Sequence, residues 1–264
     1  MRVAALAFAV SFAALSGAQA GDAPQPRGVI ELFTSQGCSS CPPADRLAKE
    51  LSRDGNNLVL TLPVDYWDYL GWKDTLATPA NTARQKAYAS ARGDRKVFTP
   101  QIIVNGAEAT LGGDGAAVAG AVTRAETGTK ALTLPVALSV ADGRVAVTVA
   151  APKGPLAETR GEVWAFALDR ARTVQIGRGE NAGRAVSYVN VVRKMTRLGA
   201  WDGDAAHFEV PLDEVARPGT DAIAVLVQAG SGGQPGAILG AAVNNAPPTP
   251  GAAGLLSGLT RDPL

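Results

Sequence analysis

The sequence is poor in the residues that carry acid–base and metal chemistry. Its 264 residues include two cysteines and one histidine, His207. A zinc site needs more donors than these three side chains supply, and catalysis by a histidine base is nearly excluded. The chain also has no strong net charge, because its 25 basic residues nearly balance its 24 acidic ones. We therefore expect no cofactor, no metal ligated by histidine and no affinity for nucleic acid or anionic lipid.

Long apolar runs are missing outside the N-terminus. Arg2, the apolar run 3–15 and the small residues Ala18-Gln19-Ala20 predict a signal peptide over residues 1–20, cleaved after Ala20. The run is too short for a membrane anchor, which needs about twenty apolar residues. We expect a periplasmic or secreted protein, without membrane attachment after cleavage, in a compartment where disulfides persist.

The two cysteines form the pair Cys38-Ser39-Ser40-Cys41. As a structural cross-link the pair is weak. A disulfide that closes a loop of about four residues stabilises the fold by roughly 2 kcal/mol, whereas one that closes a fifteen-residue loop contributes about 3. As a redox pair the spacing fits, since one sulfur can attack a disulfide and the other can resolve the mixed disulfide. The pattern favours redox or metal chemistry, and a structural disulfide remains the alternative.

The chain divides into two patterns. Residues 28–128 alternate strand and helix signals, which predicts an α/β domain of thioredoxin-like order containing the C-x-x-C pair. Residues 131–245 show short strands separated by turns such as Asp142-Gly143, which predicts an all-β, sandwich-like second domain. Residues 246–264 are rich in Pro, Gly and Ala, and we expect a disordered tail.

Thr99-Pro100 occupies the position at which a thioredoxin-like order places a cis-proline facing the cysteines. The X–Pro bond is the one kind of peptide bond whose cis form costs little free energy relative to trans, about 0.5–1 kcal/mol. A cis bond would turn the Thr99 backbone toward a bound peptide. The alternative is a trans proline that merely begins a strand.

Three residues have predicted roles in sulfur chemistry. Cys38, at a helix N-terminus, would be the nucleophile, and Cys41, one turn inside the helix, would be the buried resolving thiol. Glu31, on the preceding apolar strand, could accept a proton as a base with a raised pKa. Equally, Glu31 could face water or pair with a nearby arginine.

A second group of candidate functional residues lies in the aromatic segment 65–72. Its side chains could bind a substrate beside the cysteines; the candidates are Asp65, Tyr66, Trp67 and Trp72. The alternative is that the aromatic side chains pack between the two domains. The glycine-rich stretch 177–184 lacks the context of a phosphate-binding loop and is interpreted as a hairpin connection.

Five stretches together resemble the DUF1223 family of secreted bacterial proteins, which belongs to the thioredoxin-like superfamily. They are 31–45 (ELFTSQGCSSCPPAD), 64–72 (VDYWDYLGW), 98–101 (FTPQ), 179–184 (GENAGR) and 198–203 (LGAWDG). The resemblance supports the thioredoxin-like fold and supplies no reaction. By likeness to thioredoxins it implies Cys38 as nucleophile, Cys41 as resolving thiol and Pro100 as the cis-proline.

Two functions follow as expectations. The first is an exported thiol–disulfide oxidoreductase acting on protein or peptide thiols and disulfides, with a redox partner protein. The second is a binding protein without turnover that captures a partner protein or Cu(I), which soft thiolates select.

Overall fold

A computed structural model describes residues 25–127, 132–156 and 158–244. The predicted signal peptide, 1–20, and the predicted tail, 246–264, lie outside the described residues.

Over these residues the chain forms eleven strands and four α-helices. The strands are β1 (Gly28–Thr34), β2 (Asn57–Pro63), β3 (Gln101–Val104), β4 (Glu108–Leu111), β5 (Val136–Ala141), β6 (Arg144–Val149), β7 (Gly161–Gln175), β8 (Ala185–Trp201), β9 (Ala206–Pro211), β10 (Ala222–Ala229) and β11 (Ile238–Val243). The helices are α1 (Pro42–Leu51), α2 (Pro79–Arg92), α3 (Gly115–Thr127) and α4 (Leu212–Val215). A short 3-10 helix, Asp68–Leu70, precedes α2.

Eight strands form one mixed sheet in the order β11-β10-β7-β8-β2-β1-β3-β4. β1 and β2 run parallel, and β3 and β4 extend the sheet with antiparallel pairs. β2 meets β8 in parallel at Thr61 and Val191, where Thr61 Oγ1 donates to Val189 O at 2.6 Å. Strands from both sequence segments therefore share one sheet.

The sheet is covered on both faces around β1, which explains why every residue of this strand is buried. Val29 and Phe33 point into the core that includes Tyr88 of α2. Ile30 and Leu32 point into the opposite core, which contains residues of α1 and α3. The two faces matter for the site, because α1 and α2 carry different functional side chains.

The second sheet has three strands in the order β5-β6-β9. Its buried valines, Val136, Val145 and Val147, share a core with Val163 of β7 and Val225 of β10. Asp142 and Gly143 form the predicted hairpin turn, both at positive φ. The result is a mixed α/β fold with a large mixed sheet and a second small sheet.

Several boundaries follow the local signals in the sequence. Thr78 caps α2 by accepting a hydrogen bond from Asn81 N at 3.2 Å, and Pro79 occupies the first turn. Asp114 Oδ1 accepts from Ala117 N at 3.0 Å at the start of α3. Among the described helices, none is long and apolar enough to cross a bilayer.

Candidate functional site: the Cys38–Cys41 disulfide

Cys38 and Cys41 are joined by a disulfide between β1 and α1, with 5.4 Å between their Cα atoms. Cys41 N donates to Cys38 O at 3.2 Å, and Asp45 N donates to Cys41 O at 3.1 Å. Cys41 is thus the N-cap residue of α1, not a residue one turn inside it. The difference has a physical cause: Pro42 and Pro43 have no N–H and cannot bond to the carbonyls one turn earlier.

The disulfide is shielded from solvent. Cys38 is 1% exposed and Cys41 is fully buried, whereas Ser39 and Ser40 between them are exposed. Ser40 Oγ lies 3.4 Å from Cys38 Sγ. The sequence predicted a buried Cys41, but the burial of Cys38 has to be explained by neighbours that are distant in sequence.

One such neighbour is Trp67. A Cβ added at Gly37, the residue before Cys38, would lie 3.2 Å from Trp67 Cβ. On its other side Trp67 Nε1 donates to Thr99 Oγ1 at 2.8 Å. The Thr99–Pro100 peptide bond is cis, the geometry expected from the sequence. Trp67 therefore connects the start of the C-x-x-C turn to the residue before the cis-proline.

A second neighbour is the 177–184 loop, which joins β7 to β8. Two of the three glycines of this loop pack on Trp72: an added Cβ would lie 3.2 Å from Trp72 Cζ3 at Gly177 and 3.3 Å from Trp72 Cβ at Gly179. Trp72 Nε1 donates to Gln36 Oε1 at 2.8 Å. Trp72 thus packs between the two predicted domains, as the packing interpretation expected, and also touches the site.

The same loop contacts the C-x-x-C turn directly. The side-chain Nδ2 of Asn181 donates to Gln36 O at 3.0 Å and to Cys38 O at 2.8 Å. Asn181 is 1% exposed, so both hydrogen bonds are formed away from water. A hairpin connection from the C-terminal half of the chain is therefore part of the disulfide's surroundings.

Two buried carboxyl groups lie beside the turn. Asp45 follows Cys41 by one helical turn on the same side of α1, and Thr34 Oγ1 donates to Asp45 Oδ1 at 2.7 Å. Burial raises the pKa of Asp45 to about 7, the Thr34 hydrogen bond opposes the rise, and the charge of Asp74 adds to it. With a pKa of about 7, the Asp45 carboxyl can take up and release a proton near neutral pH.

Asp74 holds the chain around Gln36. Its carboxylate accepts from Gln36 N at 2.8 Å and from the amides of Leu76 and Ala77 at 2.8 and 3.0 Å. Burial nevertheless raises the pKa of Asp74. Burial, with the nearby charges of Asp45 and Asp74, also raises the pKa of Tyr188 on β8, so the phenol stays protonated.

Glu31 lies on the opposite face of β1. Arg84 of α2 donates to it through Nε at 2.6 Å and Nη2 at 3.2 Å, and Tyr88 Oη also donates to its carboxylate. Arg84 further donates to Gln228 Oε1 at 3.0 Å. Glu31 is buried, as expected of a base, and it pairs with an arginine, which was the other interpretation.

Asp65 and Tyr66 lie near α2. Asp65 Oδ1 accepts from Thr82 Oγ1 at 2.6 Å, and Asp65 N donates to the same hydroxyl at 3.1 Å. Tyr66 is half-buried against the core that contains Phe33, and burial raises the pKa of Tyr66. Their roles in substrate binding stay predictions. Among the described residues, no group of three or more Cys, His, Asp and Glu side chains could hold a metal ion.

Comparison with known proteins places the chain in a family. The model of "Protein of unknown function (DUF1223)" matches residues 29–228. The chain belongs to the DUF1223 family. Among curated proteins, none matches the chain significantly.

Two solved structures are similar to this DUF1223 chain. Protein AGR_C_4864 from Agrobacterium tumefaciens is 32% identical with a TM-score of 0.74, over 90% of this chain and 99% of that one. HBP35 of Porphyromonas gingivalis is 15% identical with a TM-score of 0.57, over 90% of this chain and 80% of that one. At 15% identity the second likeness concerns the fold alone.

Sequence reasoning missed Asp45, Asp74 and Asn181 in this DUF1223 site. Asp45 could have been found from its spacing, because residues four apart on a helix lie on one face. Asn181 lies in GENAGR, a stretch that carries the family resemblance, yet its chain position 143 residues after Cys38 gave no sign of contact.

Proposed function

We propose that this protein is an exported thiol–disulfide oxidoreductase in which Cys38 and Cys41 alternate between a dithiol and a disulfide. The observation that carries the proposal is the buried C-x-x-C disulfide at the start of α1, connected through Trp67 to Thr99, the residue before Pro100. A thioredoxin-like arrangement of residues 28–128, with 131–245 as a second, sandwich-like domain, is part of the proposal.

The exchange would proceed in two steps. In the reducing direction the Cys38 thiolate attacks a sulfur of a substrate disulfide, forms a mixed disulfide and releases one substrate thiolate. Cys41 then loses its proton and attacks Cys38 Sγ, forming the Cys38–Cys41 disulfide and releasing the second substrate thiolate. Two electrons pass to the substrate, and a dithiol partner protein would restore the reduced pair. In the oxidising direction the same steps run in reverse.

Asp45, rather than Glu31, is the proposed acceptor of the Cys41 proton. Asp45 follows Cys41 by one turn of the chain, and its pKa of about 7 lets it accept and return a proton near neutral pH. Glu31 is on the other face of β1 and its carboxylate is occupied by Arg84 and Tyr88. Substrate binding would fall to the Thr99 backbone and to Trp67, with Asp65, Tyr66 and Trp72 around them.

Trapping of the mixed disulfide tests the proposal. A Cys41→Ser variant, reduced and mixed with an oxidised peptide, should accumulate a Cys38–peptide disulfide that mass spectrometry detects. A Cys38→Ser variant is the matched control and should trap far less. Equal trapping by both variants, or none by either, would contradict the proposed roles.

A further inference from the structure

The 177–184 loop is built to lie close against the C-x-x-C turn. Gly177 and Gly179 allow its backbone to approach Trp72, and Gly179 has φ +77°, a conformation that glycine adopts without strain. Within the loop, Ala182 N donates to Gly179 O at 3.1 Å and Arg184 N donates to Asn181 O at 3.2 Å. These turns place the Asn181 side chain inward.

The inward side chain makes a specific contact. Its side-chain amide donates to one carbonyl of the C-x-x-C turn, Cys38 O, and to one just before the turn, Gln36 O. Cys38 O also accepts from Cys41 N, so the Asn181 amide bonds to the carbonyl that closes the turn. Loss of Asn181 would leave Gln36 O without this buried partner, and water would have to replace it.

We infer that Asn181 is a positioning residue that holds the 177–184 loop over the disulfide and sets how fast a reductant or substrate reaches it. The part of this inference that concerns a substrate rests on the proposed exchange at Cys38 and Cys41, whereas the part that concerns a small reductant does not. In this arrangement the loop must detach before a sulfur is attacked. A partner that releases the loop would therefore react faster than a small thiol that does not.

Reduction of the full-length protein by a phosphine, tris(carboxyethyl)phosphine, measures access to the disulfide. The phosphine attacks a sulfur and becomes phosphine oxide with oxygen from water, while the two cysteines become thiols. Asn181→Ala should raise the reduction rate about tenfold or more, because two buried hydrogen bonds of about 1 kcal/mol each no longer hold the loop. A rate equal to wild type would overturn the inference.

Asn81→Ala is the matched control for a general loss of stability. Asn81 is also 1% exposed, and its Nδ2 also donates to two carbonyls, Pro63 O at 3.0 Å and Val192 O at 3.5 Å. Neither acceptor belongs to the C-x-x-C turn or to the 177–184 loop. We expect Asn81→Ala to lower the unfolding free energy about as much as Asn181→Ala does. It should nevertheless change the reduction rate of the disulfide less than about twofold. Equal acceleration by both variants would assign the effect to stability and contradict a positioning role.

Asn181→Asp gives a pH-dependent readout that a purely structural role would not produce. An ionised aspartate faces the two carbonyls without a donor, so the loop should detach as in Asn181→Ala. Burial raises the pKa of such a carboxyl, and its protonated form regains one donor. The phosphine reduction rate of Asn181→Asp, divided by that of wild type, should therefore fall toward one as the pH is lowered. A pH-independent ratio would contradict the inference.

The experiment separates this inference from the proposed function. If Asn181→Ala reduces faster but neither protein exchanges disulfides with a peptide, the positioning role stands and the oxidoreductase proposal fails. If both exchange with the peptide and the phosphine rates are equal, the proposed function stands and the positioning role fails.

Discussion

At the scale of the residue, Asp45 couples the site to pH. The folded state holds its proton up to a pKa of about 7, against 3.8 for a free aspartate, so the folded state binds more protons between these values. The contribution of Asp45 to the unfolding free energy is therefore fully present below pH 3.8 and is lost as the pH rises through about 7.

Asp45→Asn should remove that dependence while keeping the acceptor for the Thr34 hydroxyl. The difference in unfolding free energy, variant minus wild type, should increase between pH 5 and pH 8 by about 2–3 kcal/mol. Urea unfolding at both pH values measures it. A difference that stays constant would show that Asp45 titrates normally in the folded protein.

Glu31 is a buried carboxylate of a different kind, because the guanidinium of Arg84 neutralises its charge. Glu31→Gln would leave the buried Arg84 guanidinium with only neutral partners, Tyr88 and Gln228. We expect a loss of about 3–5 kcal/mol in unfolding free energy, the usual result of removing one partner of a buried ion pair. Adding Arg84→Met should recover part of it. A loss below about 1 kcal/mol would mean that the ion pair contributes little.

The residue scale also shows what the sequence could and could not predict. Local spacing and the order of elements left the burial of Glu31 open, but the C-x-x-C pair and the cis bond at Pro100 followed from them. The partner of Glu31 did not, because Arg84 lies 53 residues away. Asn181 was missed for the same reason, since long-range contacts leave no periodic signal.

At the scale of the element, the 177–184 loop contains a matched pair of glycines. Gly179 and Gly183 have φ values of +77° and +78°, but an added Cβ meets Trp72 only at Gly179 and meets nothing within 4 Å at Gly183. The pair therefore separates backbone strain from contact with Trp72.

We expect Gly183→Ala to cost about 1 kcal/mol from the left-handed backbone alone, and Gly179→Ala to cost more. Gly179→Ala should also speed phosphine reduction of the disulfide, because the loop is pushed off Trp72. Thermal unfolding and reduction rates measure the two effects. Identical behaviour of the two variants would contradict a close contact between the loop and Trp72.

Elements themselves were largely predictable. Thr78-Pro79 and Asp114 marked the starts of α2 and α3, and Asp142-Gly143 marked a hairpin, because caps and turns need particular residue types. Residues 162–168 and 172–177 have the sequence pattern of two short strands, but the structure has one long strand there, β7 (Gly161–Gln175). The polar residues between them are Asp169, which is buried, and Arg170, which is half-buried, and local alternation does not distinguish such residues from a turn.

At the scale of the whole molecule, the predicted domains share a core. Phe33 and Leu60 of the first segment pack in the same cluster as Phe166, Leu226 and Ile238 of the second. The sequence predicted both segments but not their junction. The parallel contact between β2 and β8 depends on side chains such as Thr61 and Asn190 rather than on a recognisable pattern.

A shared core predicts that the two segments unfold together. Fluorescence of the tryptophans near the disulfide and far-ultraviolet circular dichroism should give coincident urea transitions with one midpoint. Two separated transitions would show instead that 28–128 and 131–245 are independently stable domains.

The reduction potential of the Cys38–Cys41 pair tests the central claim most directly. Equilibration with glutathione or dithiothreitol redox buffers, followed by alkylation and mass spectrometry, measures it. An exchange-competent pair should have a potential between about −270 and −120 mV, the range of thiol–disulfide oxidoreductases. A potential well below about −300 mV would mark a structural disulfide and contradict the proposed function.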